Sequence, residues 1–312
     1  MNRIISKLNE ALIVVPPEML SVIRCIPDME SQRIQEIRLR RGRCLTVSVF
    51  DKEYYVSRDG KLINNETNAY RVTDNDIDTV FKRSFQNSIH SYQREISQGY
   101  VTISGGSRVG FCGTAVTDAQ KGYCVENVKN ISSVNIRIAR EVHGAADELM
   151  QRVFSNGVKG LIIIAPPSGG KTTVIRDLCR QLGTLTTISL IDERNEISST
   201  VSGYAQNDTG PLTDIFNSYT KYDGIMTAVK VMAPKLLVCD EIGSKDDLKA
   251  LEYAVNSGVK LIATTHASSY EDAKKRSVVA HLIKNHVFDY AAVLGTGSLC
   301  GKLTRLVCIN ND

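Results

Sequence analysis

The stretch LIIIAPPSGGKTTVIRDLCRQL, residues 161–182, decides the fold. Its first four residues form a short apolar run typical of a buried strand, and this run ends in a turn of Pro, Ser and Gly. The residues that follow the turn are amphipathic with helical spacing. A strand, a glycine-rich turn and a helix in this order are the parts of a phosphate-binding loop.

The loop pattern G-x-x-x-x-G-K-[ST] is matched by Gly170, Lys171 and Thr172, whereas Ala165 stands at the first glycine position. Because Ala is the smallest residue with a Cβ, we expect it to keep the turn compact. Backbone N–H groups at the start of the helix can then bind phosphate oxygens. The predicted nucleotide-binding residues are Ala165, Pro166, Pro167, Ser168, Gly169, Gly170, Lys171, Thr172 and Thr173.

Two side chains of this loop have predicted roles of their own. Lys171 carries a point charge on a stem long enough to reach the β- and γ-phosphates of a nucleotide. The hydroxyl of Thr172 is placed to ligate Mg²⁺. ATP and Mg²⁺ are therefore the expected ligands.

The whole chain has 312 residues, enough for two domains. Its net charge is +4, from 38 Lys and Arg against 34 Asp and Glu, which gives no electrostatic case for nucleic acid as the main partner. Eight cysteines are scattered without a zinc-binding spacing and indicate reduced thiols in a cytosolic protein. No apolar run approaches the length of a membrane span, so any membrane association is expected to come through partners.

The pattern of residues 1–140 predicts a smaller α+β domain that ends in a linker. Apolar spacing predicts a helix over residues 2–14 that Pro16 and Pro17 end. Residues 34–49 alternate and predict two strands with a turn at Gly42.

Three further features of this domain can be predicted. Thr73 is expected to cap a helix. Residues 99–116 predict a β-hairpin whose second strand is interrupted at Gly110 and Gly113. The linker is expected over residues 127–144.

Residues 141–312 predict an α/β domain with a parallel sheet, since strands and helices alternate from Lys159 onward. A ligand of such a sheet binds at the carboxyl ends of the strands. Three later apolar runs end in polar residues of catalytic type. The runs end in Asp192, Glu193 and Glu196; in Asp240 and Glu241; and in Thr264, Thr265 and His266.

Asp240 lies 69 residues after Lys171 (240 − 171), and strands and helices alternate between them. Asp240 and Glu241 therefore indicate a Walker B element. Asp240 is then expected to hold Mg²⁺, and Glu241 to accept a proton from the attacking water. An apolar run that ends in Asp-Glu also occurs where any strand enters a loop.

The cluster that begins at Asp192 allows two interpretations. Either Asp192 holds metal while Glu193 and Glu196 orient water, or the cluster is a solvated charged loop. His266 is likewise either a sensor of the γ-phosphate or a structural histidine.

These motifs resemble those of a known family. IDERNE resembles the Asp box of the type II and type IV secretion ATPases, and KLLVCDEIG and VKLIATTHAS resemble their Walker B element and His box. The full set is similar to the stage III sporulation protein AA family of endospore-forming bacteria. The motifs that carry this likeness are NIRIARE (135–141), the phosphate loop, DERNEI (192–197), QNDTG (206–210) and CDEIG (239–243).

The resemblance implies a RecA-like P-loop ATPase that forms a homo-oligomeric ring, expected to be a hexamer. Its implied partners are membrane channel proteins of a secretion-like complex between mother cell and forespore, with the ATPase on the cytoplasmic side of the mother cell. Gly243 and Ser244 stand where secretion ATPases usually have Arg-Asp, which favours the sporulation branch over the pilus motors.

The resemblance also implies catalytic arginines in the N-terminal domain or linker, here Arg137 and Arg140. Such a guanidinium reaches the γ-phosphate held by a neighbouring subunit. The alternative is that these arginines pair with Glu141 or Asp147.

Two other function classes stay open. One is a nucleic-acid-dependent RecA-like NTPase, and the other is a scaffold that binds nucleotide without hydrolysing it, which Ala165 would allow. A small GTPase is excluded because the chain has no N-K-x-D motif.

Overall fold

The computed structural model describes residues 3–50, 52–86, 93–118 and 124–309. The chain forms two compact units, Met1–Arg140 and Glu141–Asp312. Among the described residues, no helix is both long enough and apolar enough to cross a bilayer.

The first unit is an α+β domain. Its described elements are α1 (Arg3–Ala11), α2 (Pro17–Arg24), α3 (Asp28–Ser31), β1 (Ile34–Arg40), β2 (Thr46–Val49), β3 (Lys52–Val56), β4 (Leu62–Ile63), α4 (Asp74–Ser84), α5 (Gln93–Gln98), β5 (Tyr100–Thr102), β6 (Arg108–Asp118) and β7 (Cys124–Arg137).

The strands of this unit form an antiparallel sheet in the order β4-β3-β2-β1-β7-β6-β5 over the residues that the structure describes. Successive side chains of a strand point to opposite faces of a sheet. Ile37 and Leu39 of β1 are therefore buried in the core, whereas Arg38 lies on the polar face. This face carries charged residues that line a cavity of the unit, among them Glu36, Arg38 and Arg137.

Several local predictions for this unit are confirmed. The hydroxyl of Thr73 accepts a hydrogen bond from the N–H of Asp76 (3.1 Å), and the Asp76 carboxylate accepts one from the N–H of Thr73 (2.8 Å). This reciprocal pair is a capping box. β1 and β2 pair on either side of Gly42, whose φ of 68° lies in the left-handed region that favours glycine.

Two predictions for this unit need correction. Gly110 and Gly113 do not interrupt the second hairpin strand: β6 continues through both, with a bulge between Cys112 and Thr114. A Cβ on Gly113 would lie 2.6 Å from the carbonyl oxygen of Lys129, so glycine admits the close approach of β7.

The predicted linker over residues 127–144 is wrong for residues 127–137. These residues belong to β7, which lies between β1 and β6 in the sheet. Val134 and Ile136 are buried in the core of the first unit, which explains the apolar alternation of the segment. The alternation identified a strand, but only the tertiary structure shows that it is central to the first unit.

The second unit is an α/β domain. Its elements are α6 (Asp147–Val153), β8 (Leu161–Ala165), α7 (Lys171–Leu182), β9 (Ile188–Asp192), β10 (Thr213–Asn217), α8 (Lys221–Val231), β11 (Leu236–Cys239), α9 (Lys245–Asn256), β12 (Lys260–His266), α10 (Tyr270–Ala273), α11 (Ser277–Lys284), β13 (Tyr290–Leu294) and β14 (Leu303–Cys308).

The strands of this unit form a sheet in the order β10-β9-β11-β12-β8-β13-β14, in which only β14 pairs antiparallel among the described strands. All of β8, β9 and β11 is buried, as expected for parallel strands covered by helices on both faces. The predicted parallel sheet is therefore confirmed. Its strand ends place the phosphate loop, Asp192, Asp240 and His266 along one edge.

Candidate functional site

The phosphate loop makes a compact turn between β8 and α7. Ser168 and Gly170 adopt the left-handed backbone conformation, with φ of 60° and 82°. A Cβ on Gly169 would lie 2.7 Å from the Cβ of Ala165, which is fully buried at the end of β8. The small methyl group of Ala165 thus fits the first position of the loop only because residue 169 is glycine.

The turn between β13 and β14 packs against this loop. The N–H of Gly301 donates to the carbonyl oxygen of Gly169 (3.3 Å), and Sγ of Cys300 donates to the carbonyl oxygen of Ser168 (3.1 Å). A Cβ on Gly170 would lie 2.6 Å from the Cα of Gly301. The sequence alone does not indicate Cys300 or Gly301, because no local pattern links them to a loop so far away in the chain.

A cavity of about 420 Å³ opens above the loop. Its walls combine the glycine-rich turn with polar ends of the neighbouring strands. The lining residues are Pro167, Ser168, Gly169, Gly170, Lys171, Thr172, Thr173, Arg194, Glu196, Asp240, Glu241, His266 and Cys300.

Lys171 is buried at the base of this cavity. Its ammonium group donates to the carbonyl oxygens of Ala165 and Pro166, both at 3.1 Å. Burial lowers the pKa of Lys171, and the charges of Asp240 and Glu241 oppose that shift. Ala165 and Pro166 do not line the cavity and so contribute carbonyl groups to the lysine instead.

His266 connects the lysine to an acidic residue. Its Nδ1 lies 2.8 Å from Nζ of Lys171, and its Nε2 lies 3.2 Å from Oε2 of Glu241. An ammonium group only donates, so Nδ1 accepts and the ring proton of a neutral imidazole lies on Nε2, facing the carboxylate. Lys171, His266 and Glu241 therefore form one polar row.

Asp240 and Thr172 are the side chains in the cavity that fit a Mg²⁺ ion. The hydroxyl of Thr264 donates to Oδ1 of Asp240 at 3.0 Å and orients the carboxylate. Mg²⁺ prefers oxygen ligands and keeps several waters, so one carboxylate and one hydroxyl beside a phosphate suffice. Both residues line the same cavity as the phosphate loop.

Asp192 has a structural environment. It is buried, and its carboxylate accepts hydrogen bonds from the N–H groups of Glu196, Ile197 and Ser198 and from the Ser198 hydroxyl (2.6–3.3 Å). It does not line the cavity. The prediction that Asp192 binds metal is therefore not supported, because both of its oxygens hold the loop that follows β9.

The two glutamates of this loop, Glu193 and Glu196, lie in different environments. Glu196 lines the cavity, whereas Glu193 lies outside it and forms an ion pair with Lys221 (3.3 Å). Nζ of Lys221 also donates to the carbonyl oxygen of Glu241 at 2.5 Å. Of the two, Glu196 is the one placed to act on a ligand.

The two arginines predicted for catalysis lie in the first unit. Arg137 is 67% exposed, and its Nε lies 3.3 Å from Oε1 of Glu36. Arg140 donates to the carbonyl oxygens of Arg33 and Ile34 (2.9 and 3.1 Å), and burial lowers its pKa. The cavity of about 500 Å³ beside them is lined by Gln35, Glu36, Arg38, Ser48, Glu53, Arg137, Ile138 and Arg140.

Comparison with known proteins identifies the family. A sequence model of the sporulation stage III, protein AA family matches residues 17–308. The chain belongs to the stage III sporulation protein AA family. Stage III sporulation protein AA of Bacillus subtilis (strain 168) is 32% identical over 288 residues, which cover 90% of this chain and 89% of the relative.

Solved structures of an ATPase and of a pilus motor share the fold. The ATPase DotB of Yersinia pseudotuberculosis is similar with a TM-score of 0.52 and 16% identity, covering 84% of this chain and 71% of DotB. The pilus retraction motor PilT, solved with bound ADP, gives a TM-score of 0.52 and 12% identity, covering 84% of this chain and 74% of PilT. At such identities the likeness shows the fold alone.

Proposed function

We propose that the second unit binds ATP with Mg²⁺ and hydrolyses it. The observation that carries this proposal is the convergence on one cavity of the phosphate loop, Lys171, Thr172, Asp240 and Glu241. These groups follow the carboxyl ends of two parallel strands of one sheet, β8 and β11. A fold that needed them only for stability would not place three charged side chains around an open cavity.

Each residue has a separate task in this proposal. The N–H groups at the start of α7 and the ammonium of Lys171 hold the phosphates. Thr172 and Asp240 would hold Mg²⁺, and the bound ion would neutralise part of the phosphate charge. Glu241 accepts the proton of the attacking water, with His266 fixing its position and Glu196 orienting water at the cavity wall.

The family supports the proposed biological role. Membership in a sporulation family and the fold of secretion ATPases support a cytoplasmic motor for a secretion-like channel complex in endospore formation. In this proposal the chain forms a homo-oligomeric ring, a hexamer, on the mother-cell side and reaches the membrane through channel proteins. Arg137 then acts across the subunit interface.

A phosphate-release assay tests the enzymatic part. The wild-type chain should release phosphate from ATP with Mg²⁺, and Lys171→Ala should release none because the phosphates lose their fixed cation. Turnover that requires added DNA or RNA would support the nucleic-acid-dependent alternative, and ATP binding without release would support the scaffold.

A mass measurement in solution tests the assembly. The particle mass should rise to that of a ring when ATP and Mg²⁺ are added. A chain that stays monomeric at all nucleotide concentrations would contradict the proposed ring. It would not contradict the ATPase proposal, which the phosphate-release assay tests separately.

A further inference from the structure

Arg194 lies in the loop after β9, and two charged side chains hold the backbone of the residues that directly follow it. Asp192 binds the N–H groups that follow Arg194 in the chain. Arg176 of α7 donates to the carbonyl oxygens of Glu196 and Ile197 (2.7 and 3.0 Å). Because both anchors hold backbone atoms, the position of residue 194 is set by the fold.

The side chain of Arg194 lines the same cavity as the phosphate loop. It is 65% exposed, and its Nη1 lies 3.8 Å from Oε2 of Glu241. An ion pair at this distance on so exposed a side chain contributes little to stability.

The charge balance of the cavity favours a cation at the position of Arg194. Three carboxylates line it, those of Glu196, Asp240 and Glu241, whereas the lining cations are Lys171 and Arg194, with His266 beside them. A triphosphate is itself strongly anionic, so it must bring or find positive charge near its terminal phosphate. Without Arg194, one fixed cation would face three carboxylates and the ligand.

We propose that Arg194 is a catalytic residue that contacts the γ-phosphate of ATP in its own subunit, an inference that rests on the proposed ATPase function. On ATP binding its guanidinium exchanges the carboxylate of Glu241 for γ-phosphate oxygens. Water then attacks the γ-phosphorus, its proton passes to Glu241, and the bond from the γ-phosphorus to the bridging oxygen breaks to leave ADP and phosphate. The guanidinium stabilises the charge on the transferring group.

The exchange also frees the proposed base. While Arg194 and His266 both face Oε2 of Glu241, the carboxylate is held by two positively polarised groups. A carboxylate oxygen released by one of these groups can accept a hydrogen bond from water. One residue therefore links the arrival of a γ-phosphate to the release of Glu241.

The test compares nucleotides with and without a γ-phosphate. Binding of ADP and of the non-hydrolysable analogue adenylyl imidodiphosphate is measured with Mg²⁺ for the wild type, Arg194→Ala and Arg194→Lys. Arg152→Ala is the matched control, because Arg152 is 51% exposed and forms an ion pair with Glu148 on the surface of α6. Circular dichroism confirms that all variants fold.

Arg194→Ala should weaken binding of the analogue by about tenfold or more, the value of a charged hydrogen bond, and leave ADP binding unchanged. Arg194→Lys should recover part of this loss, and Arg152→Ala should match the wild type. Phosphate release by Arg194→Ala should fall by roughly 10²-fold or more.

Two results would overturn the proposal, and each leads to a different conclusion about the proposed function. In the first, the wild type binds both nucleotides, and Arg194→Ala weakens the binding of both equally or changes the binding of neither. Arg194 then does not contact the γ-phosphate, although the nucleotide site is confirmed. In the second, the wild type binds neither nucleotide, and the proposed function fails together with this inference. A wild type that binds but does not hydrolyse still tests Arg194 through the affinity ratio.

Discussion

The ammonium group of Lys171 lies 2.8 Å from Nδ1 of His266, and Nε2 of the same ring lies 3.2 Å from the carboxylate of Glu241. Ala165 of the strand before the phosphate loop pairs in register with His266, so the sheet itself sets these distances. The row joins the group proposed to hold phosphate to the group proposed to accept the proton. A change at one end can therefore reach the other through one side chain.

The first prediction tests this row at its centre. His266→Ala should lower turnover by about 10-fold to 100-fold, since the hydrogen bond to a charged group is lost, while ATP still binds. His266→Gln keeps a hydrogen-bonding side chain and should lose less. Steady-state kcat and ATP affinity measure the two effects, and wild-type kcat in His266→Ala would show that the ring is structural.

The second prediction identifies the base. Glu241→Gln keeps the shape of the side chain but removes the proton acceptor, so ATP should bind while turnover falls by on the order of 10²-fold or more. Glu196→Gln should have a smaller effect, and Glu193→Gln, outside the cavity, the smallest. If Glu196→Gln abolishes phosphate release instead, Glu196 is the base and Glu241 orients metal or water.

The sequence predicted the site where local chemistry determined it. The strand, turn and helix around Lys171 and the capping box at Thr73 both follow from residues within a few positions of one another. The alternation of strands and helices from Lys159 onward also predicted the parallel sheet. In these cases neighbouring residues alone carry the physical signal.

The remaining features depend on contacts that no local pattern contains. Asp192 ends a buried strand and Asp240 directly follows another, yet Asp192 binds backbone N–H groups rather than facing the cavity. Cys300 reaches the phosphate loop across 132 positions of the chain. Arg140 could be placed next to β1 only after β7 was known to pair with that strand.

The third prediction concerns Asp177, which anchors the helix of the phosphate loop. Its carboxylate accepts from the N–H of Ala146 (2.9 Å), from Gln181 (3.0 Å) and from Arg180 (2.7 Å). Burial alone would raise the pKa of Asp177, but these hydrogen bonds and the Arg180 charge outweigh it and lower the pKa. The stabilisation is therefore complete above the unfolded pKa of about 3.9 and is lost as the pH falls through the lower folded value.

Asp177→Asn should accordingly lower the free energy of unfolding by about 1–3 kcal/mol at neutral pH and reduce its fall with acid. Denaturant unfolding at neutral pH and near pH 3 measures both. Asp246→Asn, an exposed change on α9, is the control and should leave the pH dependence unaltered. An Asp177→Asn variant with the wild-type acid profile would contradict the assignment.

The fourth prediction uses Cys300 to locate the nucleotide. Cys300 is exposed at the cavity, whereas Cys239 is fully buried and burial raises its pKa to about 12. N-ethylmaleimide should therefore modify Cys300 and spare Cys239, because the thiolate is the reactive form. ATP with Mg²⁺ should slow modification of Cys300 but not of Cys112, an exposed cysteine of the first unit. Equal rates at Cys300 with and without nucleotide, read by peptide mass spectrometry, would place the ligand elsewhere.

The last prediction separates a catalytic arginine that acts across subunits from one that acts within its own. Arg137 is exposed and pairs with Glu36 on the polar face of its sheet, whereas Arg140 is committed to backbone carbonyls. Arg137 is therefore the better candidate for a group that reaches a neighbouring γ-phosphate, where it would raise the rate by roughly 10³-fold or more. Arg140→Ala should mainly lower thermal stability.

Mixing two inactive variants provides the measurement. Lys171→Ala combined with Arg137→Ala should recover phosphate release, because some interfaces pair an intact phosphate loop with an intact Arg137 from the next subunit. Lys171→Ala combined with Arg194→Ala should recover none, because both residues serve the same site of the same subunit and every site then lacks one of them. Recovery in the second mixture would place Arg194 across the interface. In subunits shown to co-assemble, no recovery in the first mixture would leave Arg137 structural or acting within its own subunit.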